Sequence, residues 1–362
     1  MRKGSRWNHI THSTLHKPRV FDGTTAARLR CRIGHAILTI MPRAISYATL
    51  PTEQPNPRTR ALDCLSIERI LRLMNREDAR VPRALTHVIP QIAEAVALIV
   101  AALREGGRLF FLGAGTSGRL GVIEAAECPP TFHTPPELVQ AIIAGGRGAV
   151  FRSREGAEDD RARARQEIRR RVRAGDVVVG IAASGVTPFV VEGLQAAGAR
   201  GASAILVTCH ASVKARMRAD VCISPSVGPE VIAGSTRLKA ATATKLVLNM
   251  LTVASMVRLG KVHGNLMVDV RPTSRKLTAR ALGIIQTVAG VSSRQAAASL
   301  RQSQGHTRAA VVMAALGVTD REARRLLAQH GGMLRRILRH SSKFKVGSSK
   351  SVPSNFGHRT SN

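Results

Sequence analysis

Three short, nearly continuous apolar runs, residues 108–112, 138–143 and 177–181, each end in a turn that contains glycine. Runs of this length, bounded by glycine and rich in Val, Ile, Leu and Phe, read as strands buried on both faces. A helix is predicted over residues 119–128, after the turn Gly113-Ala-Gly115-Thr116-Ser117-Gly118, with Pro129-Pro130 expected to stop it. A second helix is predicted after Ala182-Ala-Ser184-Gly185-Val186, where Thr187 suits an N-cap and Pro188 the first helical position. Residues 204–207 and 221–223 read as further strands, and residues 236–259 as a long Ala/Leu/Met-rich helix. Buried strands alternating with helices imply an α/β fold, a parallel-sheet sandwich with helices on both faces.

From about residue 271 the pattern is helical only. Ser292-Ser-Arg-Gln295 and Thr319-Asp-Arg-Glu322 both fit the capping box that opens helices. With residues 308–316 between them, they predict a small C-terminal helical bundle over 271–340, following a sheet domain over 49–270. Residues 1–48 and 341–362 have no sustained period and are expected to be disordered. The first of these is Arg-rich and acid-poor, like a transit peptide in composition only, and a translation start at Met41 is the preferred explanation.

With 362 residues, 44% of them apolar, a sizeable core is available. No uninterrupted run approaches the roughly 18–20 apolar residues of a membrane span, so no membrane partner is expected. The formal net charge of +32 invites a nucleic-acid reading. The two ends carry more than their share of it, and the rest is arginine scattered over predicted helix faces such as 161–173. Zinc-finger spacing, a basic region with heptads and an aromatic-rich strand are all missing from the sequence. A solvated arginine-rich surface is the plainer account, and no specific nucleic-acid partner is expected. Cys31, Cys64, Cys128, Cys209 and Cys222 are odd in number and form no CxxC pair. That argues against a disulfide framework or a zinc site and fits a reducing cytosol.

The turns carry the chemistry. Gly113 to Gly118 matches GxGxxG between a strand and a helix, a dinucleotide fingerprint on its face. A ribose would need an acid at the end of the next strand, which instead ends Ile-Ile-Ala-Gly-Gly. The second turn points elsewhere. Thr116 and Ser117 on one strand end, and Ser184, Gly185 and Thr187 on the other, set hydroxyls beside two helix N-termini. Free N–H groups and the positive end of a helix dipole suit a phosphate monoester. A third cluster, Gly234-Ser235-Thr236-Arg237, opens the long helix and adds Lys239. One such turn could be only an N-capped loop, but three in one domain favour a site.

The stretches Thr52-Glu-Gln-Pro-Asn-Pro57, Leu112-Gly-Ala-Gly-Thr-Ser-Gly-Arg-Leu-Gly121, Ala126-Glu-Cys-Pro-Pro-Thr-Phe132, Glu155-Gly-Ala-Glu-Asp159, Gly180-Ile-Ala-Ala-Ser-Gly185, Gly228-Pro-Glu-Val231, Gly234-Ser-Thr-Arg-Leu-Lys239, Lys245-Leu-Val-Leu-Asn-Met250 and Gly264-Asn-Leu-Met-Val-Asp-Val270 occur in that order. Together they resemble the sugar-isomerase domain, and more specifically the N-acetylmuramic acid 6-phosphate etherases, over about residues 49–340. The resemblance implies a cytoplasmic homodimer that cleaves the lactyl ether of N-acetylmuramic acid 6-phosphate. The implied products are N-acetylglucosamine 6-phosphate and D-lactate, in recycling of cell-wall sugars, with no metal or redox cofactor.

An ether is a poor leaving group, so direct displacement by water is unattractive. The opened sugar acidifies its C2 proton through the C1 aldehyde, and the lactyl oxygen sits on C3. A base can take the C2 proton while an acid protonates the departing lactate, and water then adds back. The acid needs a raised pKa, which a tight apolar setting would supply. The family's two catalytic glutamates fall on Glu127 and Glu158. The resemblance gives Glu127 the protonation of lactate, and Glu158 the C2 proton or the incoming water. A helix ending at Pro129 would keep Glu127 close to the phosphate turn.

Five positions depart from the family's habit: Val186 where Arg is usual, Ala241 and Thr244 for Gly and Gln, Glu124 for Asp, and Ser274 for Asn. They bear on affinity more than on reaction type. Cys128 reads as a packed thiol, and His133 and His263 as local hydrogen-bonding residues. A non-catalytic sugar-phosphate sensor is the alternative, since glucokinase regulatory proteins resemble the etherases; the retained glutamates favour the enzyme.

Overall fold

Five strands pair in parallel in the order β2-β1-β3-β4-β5: β1 Leu109–Gly113, β2 Val139–Ile143, β3 Val177–Ile181, β4 Ser203–Val207 and β5 Val221–Ile223. The computed structural model describes residues 49–210 and 219–339. The expectations for residues 1–48, including Cys31 and a start at Met41, and for the tail from Ser341 lie outside the described residues.

Every residue of β1 and β3 is buried, as two-sided cover requires. Side chains alternate between two cores. Phe111, Val177, Val179 and Ile205 join one, and Phe110, Leu112, Val178 and Leu206 the other. The first core is closed by α2 (Arg80–Thr86), α3 (Ile89–Arg104), α4 (Gly115–Phe132) and α8 (Lys239–Arg258). The second is closed by α6 (Arg161–Arg171) and α7 (Pro188–Ala199). The short helices α1 (Ile67–Asp78) and α5 (Gly148–Phe151) complete this part.

One sequence expectation is corrected here. Helix α4 does not stop at Pro129-Pro130 but runs through them to Phe132. Cys128 and Phe132 are buried in the first core, so tertiary packing holds the last turn despite two missing N–H donors. The helix ends instead at His133, left-handed at φ 50°, whose N–H donates to the Pro129 carbonyl. Helix α8 is long and apolar enough to cross a bilayer by length and composition, although the uninterrupted runs are short. Half of that window is buried, and Ala243, Val247, Leu248 and Leu251 spend its apolarity on the first core.

After α8 come a two-stranded hairpin, β6 (Val262–His263) and β7 (Leu266–Met267), and five helices. These are α9 (Arg275–Ala289), α10 (Ser293–Gln302), α11 (Thr307–Leu316), α12 (Asp320–Gln329) and α13 (Leu334–Leu338). They share a third core that runs from Val268 to Leu338. Ser292 and Gln295 form the complete capping box; at α12 only the Thr319 half, accepting from the Glu322 N–H, is made. Asp269 ties this layer to the hairpin, taking Lys261 at 2.7 Å and Arg308 at 2.9 Å.

Candidate active site

The first two turns leave the sheet side by side. Gly113 at the end of β1 is the register partner of Ile181 at the end of β3, which sets the two chain exits about 4.8 Å apart. Gly118 lets α4 start directly on the strand: a Cβ there would meet Ile143 Cγ1 at 2.6 Å and the Gly113 carbonyl oxygen at 2.7 Å. Gly185 takes φ 73°, and the Ala183 carbonyl accepts from the Thr208 hydroxyl and the Cys209 N–H, pinning the second turn to the end of β4. Neither α4 nor α7 has a side-chain cap. Thr187 holds the N-cap position with Pro188 behind it, as the sequence predicts, but its hydroxyl does not cap. No side chain therefore takes the first-turn N–H groups of α4, while α7 opens on Pro188, which has none, and its Val190 N–H donates to the Thr187 carbonyl; Thr116, Ser117, Ser184 and Thr187 stand half-exposed beside these ends.

Glu158 joins this edge. It sits in a short helical turn, Ala157–Asp159, and shares a cavity of about 130 Å³ with Ala114, Gly115, Arg119, Ala144 and Arg154. Glu127 does not join it within one chain. Because α4 continues past the prolines, Glu127 lies twelve residues beyond Gly115, about 18 Å along the axis at 1.5 Å per residue. Its side chain is exposed, so the single chain gives it no apolar setting.

The third cluster has a different role from the one expected. Lys239 is fully buried and its ammonium donates to Glu77 at 2.6 Å, so it is not free to hold a phosphate. Glu230 accepts from the N–H groups of Lys239 and Ala240 at 3.0 and 2.9 Å, so a carboxylate already occupies the N-terminus of α8. Burial raises the Glu230 pKa, and those two backbone donors oppose the rise. Ser235 and Thr236 remain half-exposed on the loop. Segment 52–59 straps that loop. The Gly234 N–H donates to the Thr52 carbonyl, the Asn56 amide to the Pro229 carbonyl and the Thr59 hydroxyl to the Val231 carbonyl. The sequence carried no local sign of Glu77, which receives Arg58 at 2.5 Å, Asn56 at 2.8 Å and Lys239. Burial pushes its carboxyl up, but these three donors outweigh that and hold it at about 2.

Close to Glu127, the buried Glu124 accepts Lys245 at 2.7 Å and the Thr252 hydroxyl at 2.5 Å, tying α4 to α8. Cys128 is buried and its thiol is pushed up to about 12, by burial first and then by Glu124 and Glu127, against Lys245. That is a packed thiol and not a nucleophile. His133 lies 4.0 Å from Asp269, and burial lowers its pKa.

A parallel sheet with hydroxyl-bearing turns and open helix N-termini at adjacent strand ends defines a phosphosugar-type sugar-isomerase (SIS) fold. Residues 91–198 match the glucokinase regulatory protein N-terminal SIS domain, and residues 158–254 match the SIS domain. The N-acetylmuramic acid 6-phosphate etherase of Salinibacter ruber is 52% identical over 288 residues, 79% of this chain and 93% of that one. N-acetylmuramic acid 6-phosphate etherase 2 of Vibrio cholerae is 47% identical over 290 residues, 80% and 94% of the two chains. A solved phosphoheptose isomerase from Neisseria gonorrhoeae is 20% identical with a TM-score of 0.42, over 52% of this chain and 98% of that one. This chain belongs to the N-acetylmuramic acid 6-phosphate etherase family.

Proposed function

We propose that the chain releases D-lactate from N-acetylmuramic acid 6-phosphate, leaving N-acetylglucosamine 6-phosphate, by elimination and rehydration. The observation that carries this is the pair of uncapped helix N-termini on register-paired strand ends, with Glu158 on the same cavity. The 6-phosphate is held by the first-turn N–H groups of α4, by the Phe189 N–H at the start of α7, and by Thr116, Ser117, Ser184 and Thr187. C2 and C3 of the opened sugar then lie toward Glu158. Glu158 takes the C2 proton as the C3–O bond breaks, and Glu127 gives a proton to the departing lactate oxygen. Water then adds at C3 and a proton returns to C2. Acid–base work of this kind calls on no metal or redox cofactor. The setting we infer is cytoplasmic recycling of cell-wall amino sugars.

The length of α4 favours a site completed by a second copy of the chain. Ile123, one turn before Glu127, is exposed, and so are Val253 and Val257 on the neighbouring α8. An apolar face of this kind marks a protein contact. A two-fold dimer across it would bury Glu127 and raise its proton affinity by desolvation. The test is D-lactate release from N-acetylmuramic acid 6-phosphate by the wild type and by Glu127→Ala. We expect release that falls at least about a hundredfold in the variant with folding intact. Binding of the substrate with no lactate from the wild type would instead identify a sensor.

A further inference from the structure

Two arginines line the cavity that Glu158 shares with the first turn, and their partners differ. Arg119 is tied down, its Nε donating to the Val150 carbonyl at 2.9 Å. Arg154 enters no ion pair or side-chain hydrogen bond among the described residues. Its side chain lies across the turn after β2: a Cβ on Gly148 would meet Arg154 Nη2 at 2.9 Å, and one on Gly145 would meet Cδ at 3.1 Å. Two glycines thus give the guanidinium its path along the cavity wall. Two other positions where a cation was expected supply none. Val186 is packed into the second core, and the Lys239 ammonium is held by Glu77.

The proposed substrate carries two anionic groups. The phosphate has the helix N-termini. The second, the lactyl carboxylate, hangs from the oxygen on C3, next to the C2 proton that Glu158 must reach. It must enter a cavity already lined by Glu155 and Glu158. A carboxylate brought beside two others is repelled unless a cation meets it. An unpaired guanidinium offers a planar fork matched to a carboxylate.

We propose that Arg154 is a substrate-binding residue that recognises the lactyl carboxylate and so discriminates the ether substrate from its de-lactylated product. This rests on the etherase reading above. The test compares Arg154→Ala and Arg154→Lys with the wild type, using two ligands that share the phosphate and differ in the lactyl group. kcat/KM is measured for N-acetylmuramic acid 6-phosphate, and the inhibition constant for N-acetylglucosamine 6-phosphate. Arg154→Ala is expected to lower kcat/KM about ten- to a hundredfold, mainly through KM, with product inhibition unchanged within about twofold. Arg154→Lys should recover part of the loss. Equal weakening of both ligands would place Arg154 on the phosphate or in the fold and overturn the proposal, as would an unchanged kcat/KM. A wild type that binds both sugars without releasing lactate would strike the etherase reading. In that case the Arg154→Ala ratio of the two binding constants, measured by calorimetry, would still decide this one.

Discussion

Replacing Glu77 with glutamine keeps the shape of the side chain and removes its charge from beneath the Gly228–Lys239 loop. Glu77 is 3% exposed and Lys239 0%, so the ammonium would be left buried without its counter-charge. Two routes give the size of the loss. Holding the carboxyl at about 2 against an ordinary 4.5 corresponds to about 3 kcal/mol at 1.36 kcal/mol per pH unit. Breaking one partner of a buried pair costs about 3–5 kcal/mol. Since the folded value is depressed, the contribution is complete above the unfolded value near 4.5 and is lost as pH falls toward 2. Urea unfolding followed by circular dichroism at neutral pH should therefore show Glu77→Gln less stable by about 3 kcal/mol. The gap should narrow progressively below about pH 4.5. Pairing the change with Lys239→Met should recover much of the loss, because no buried charge then lacks a partner. A single-variant loss below about 1 kcal/mol, the scale of an exposed pair, or a gap that persists to about pH 2, would refute this reasoning.

Gly118→Ala should destabilise the fold by about 1–3 kcal/mol and weaken phosphosugar binding, because the added methyl drives α4 off Gly113 and Ile143; unfolding and inhibition assays on one preparation check both. Cys209 is buried with its thiol pushed up to about 12, by burial first and by Glu230 second, and Cys128 shares that value. In the native protein at mildly alkaline pH, both should be alkylated at least about tenfold more slowly than the exposed Cys64, as read by peptide mass spectrometry. Similar rates at all three sites would contradict the packing described.

The strand-end chemistry was legible because it is local. Residues 177–181 and 221–223 are read as strands from apolar runs and are strands in the structure. The glycine-rich turns follow at once, and the capping box at Ser292 depends on residues three apart. The errors lie where distant packing overrides a local rule. Pro129-Pro130 reads as a stop, yet buried Cys128 and Phe132 carry α4 past it, and with it Glu127 moves away from its own turn. Lys239 follows a serine–threonine turn and reads as a phosphate ligand. Its partner, Glu77, stands 162 residues earlier, at a distance no periodicity could bridge. The Glu230 cap on α8 is hidden in the same way, by a loop whose fold is set by the strap from Thr52 to Thr59.

The central claim is that one site unites Glu158 beside the first turn with Glu127 from another copy. Glu127→Ala and Glu158→Ala chains, co-expressed in equal amounts and purified together without sorting the dimers, test it through the rate of D-lactate release. Random pairing of two-fold dimers leaves about a quarter of all sites with both glutamates intact. Each variant alone should be inactive, and the mixture should recover about a quarter of the wild-type rate. A mixture as inactive as its parents, beside an active wild type, would contradict the shared site.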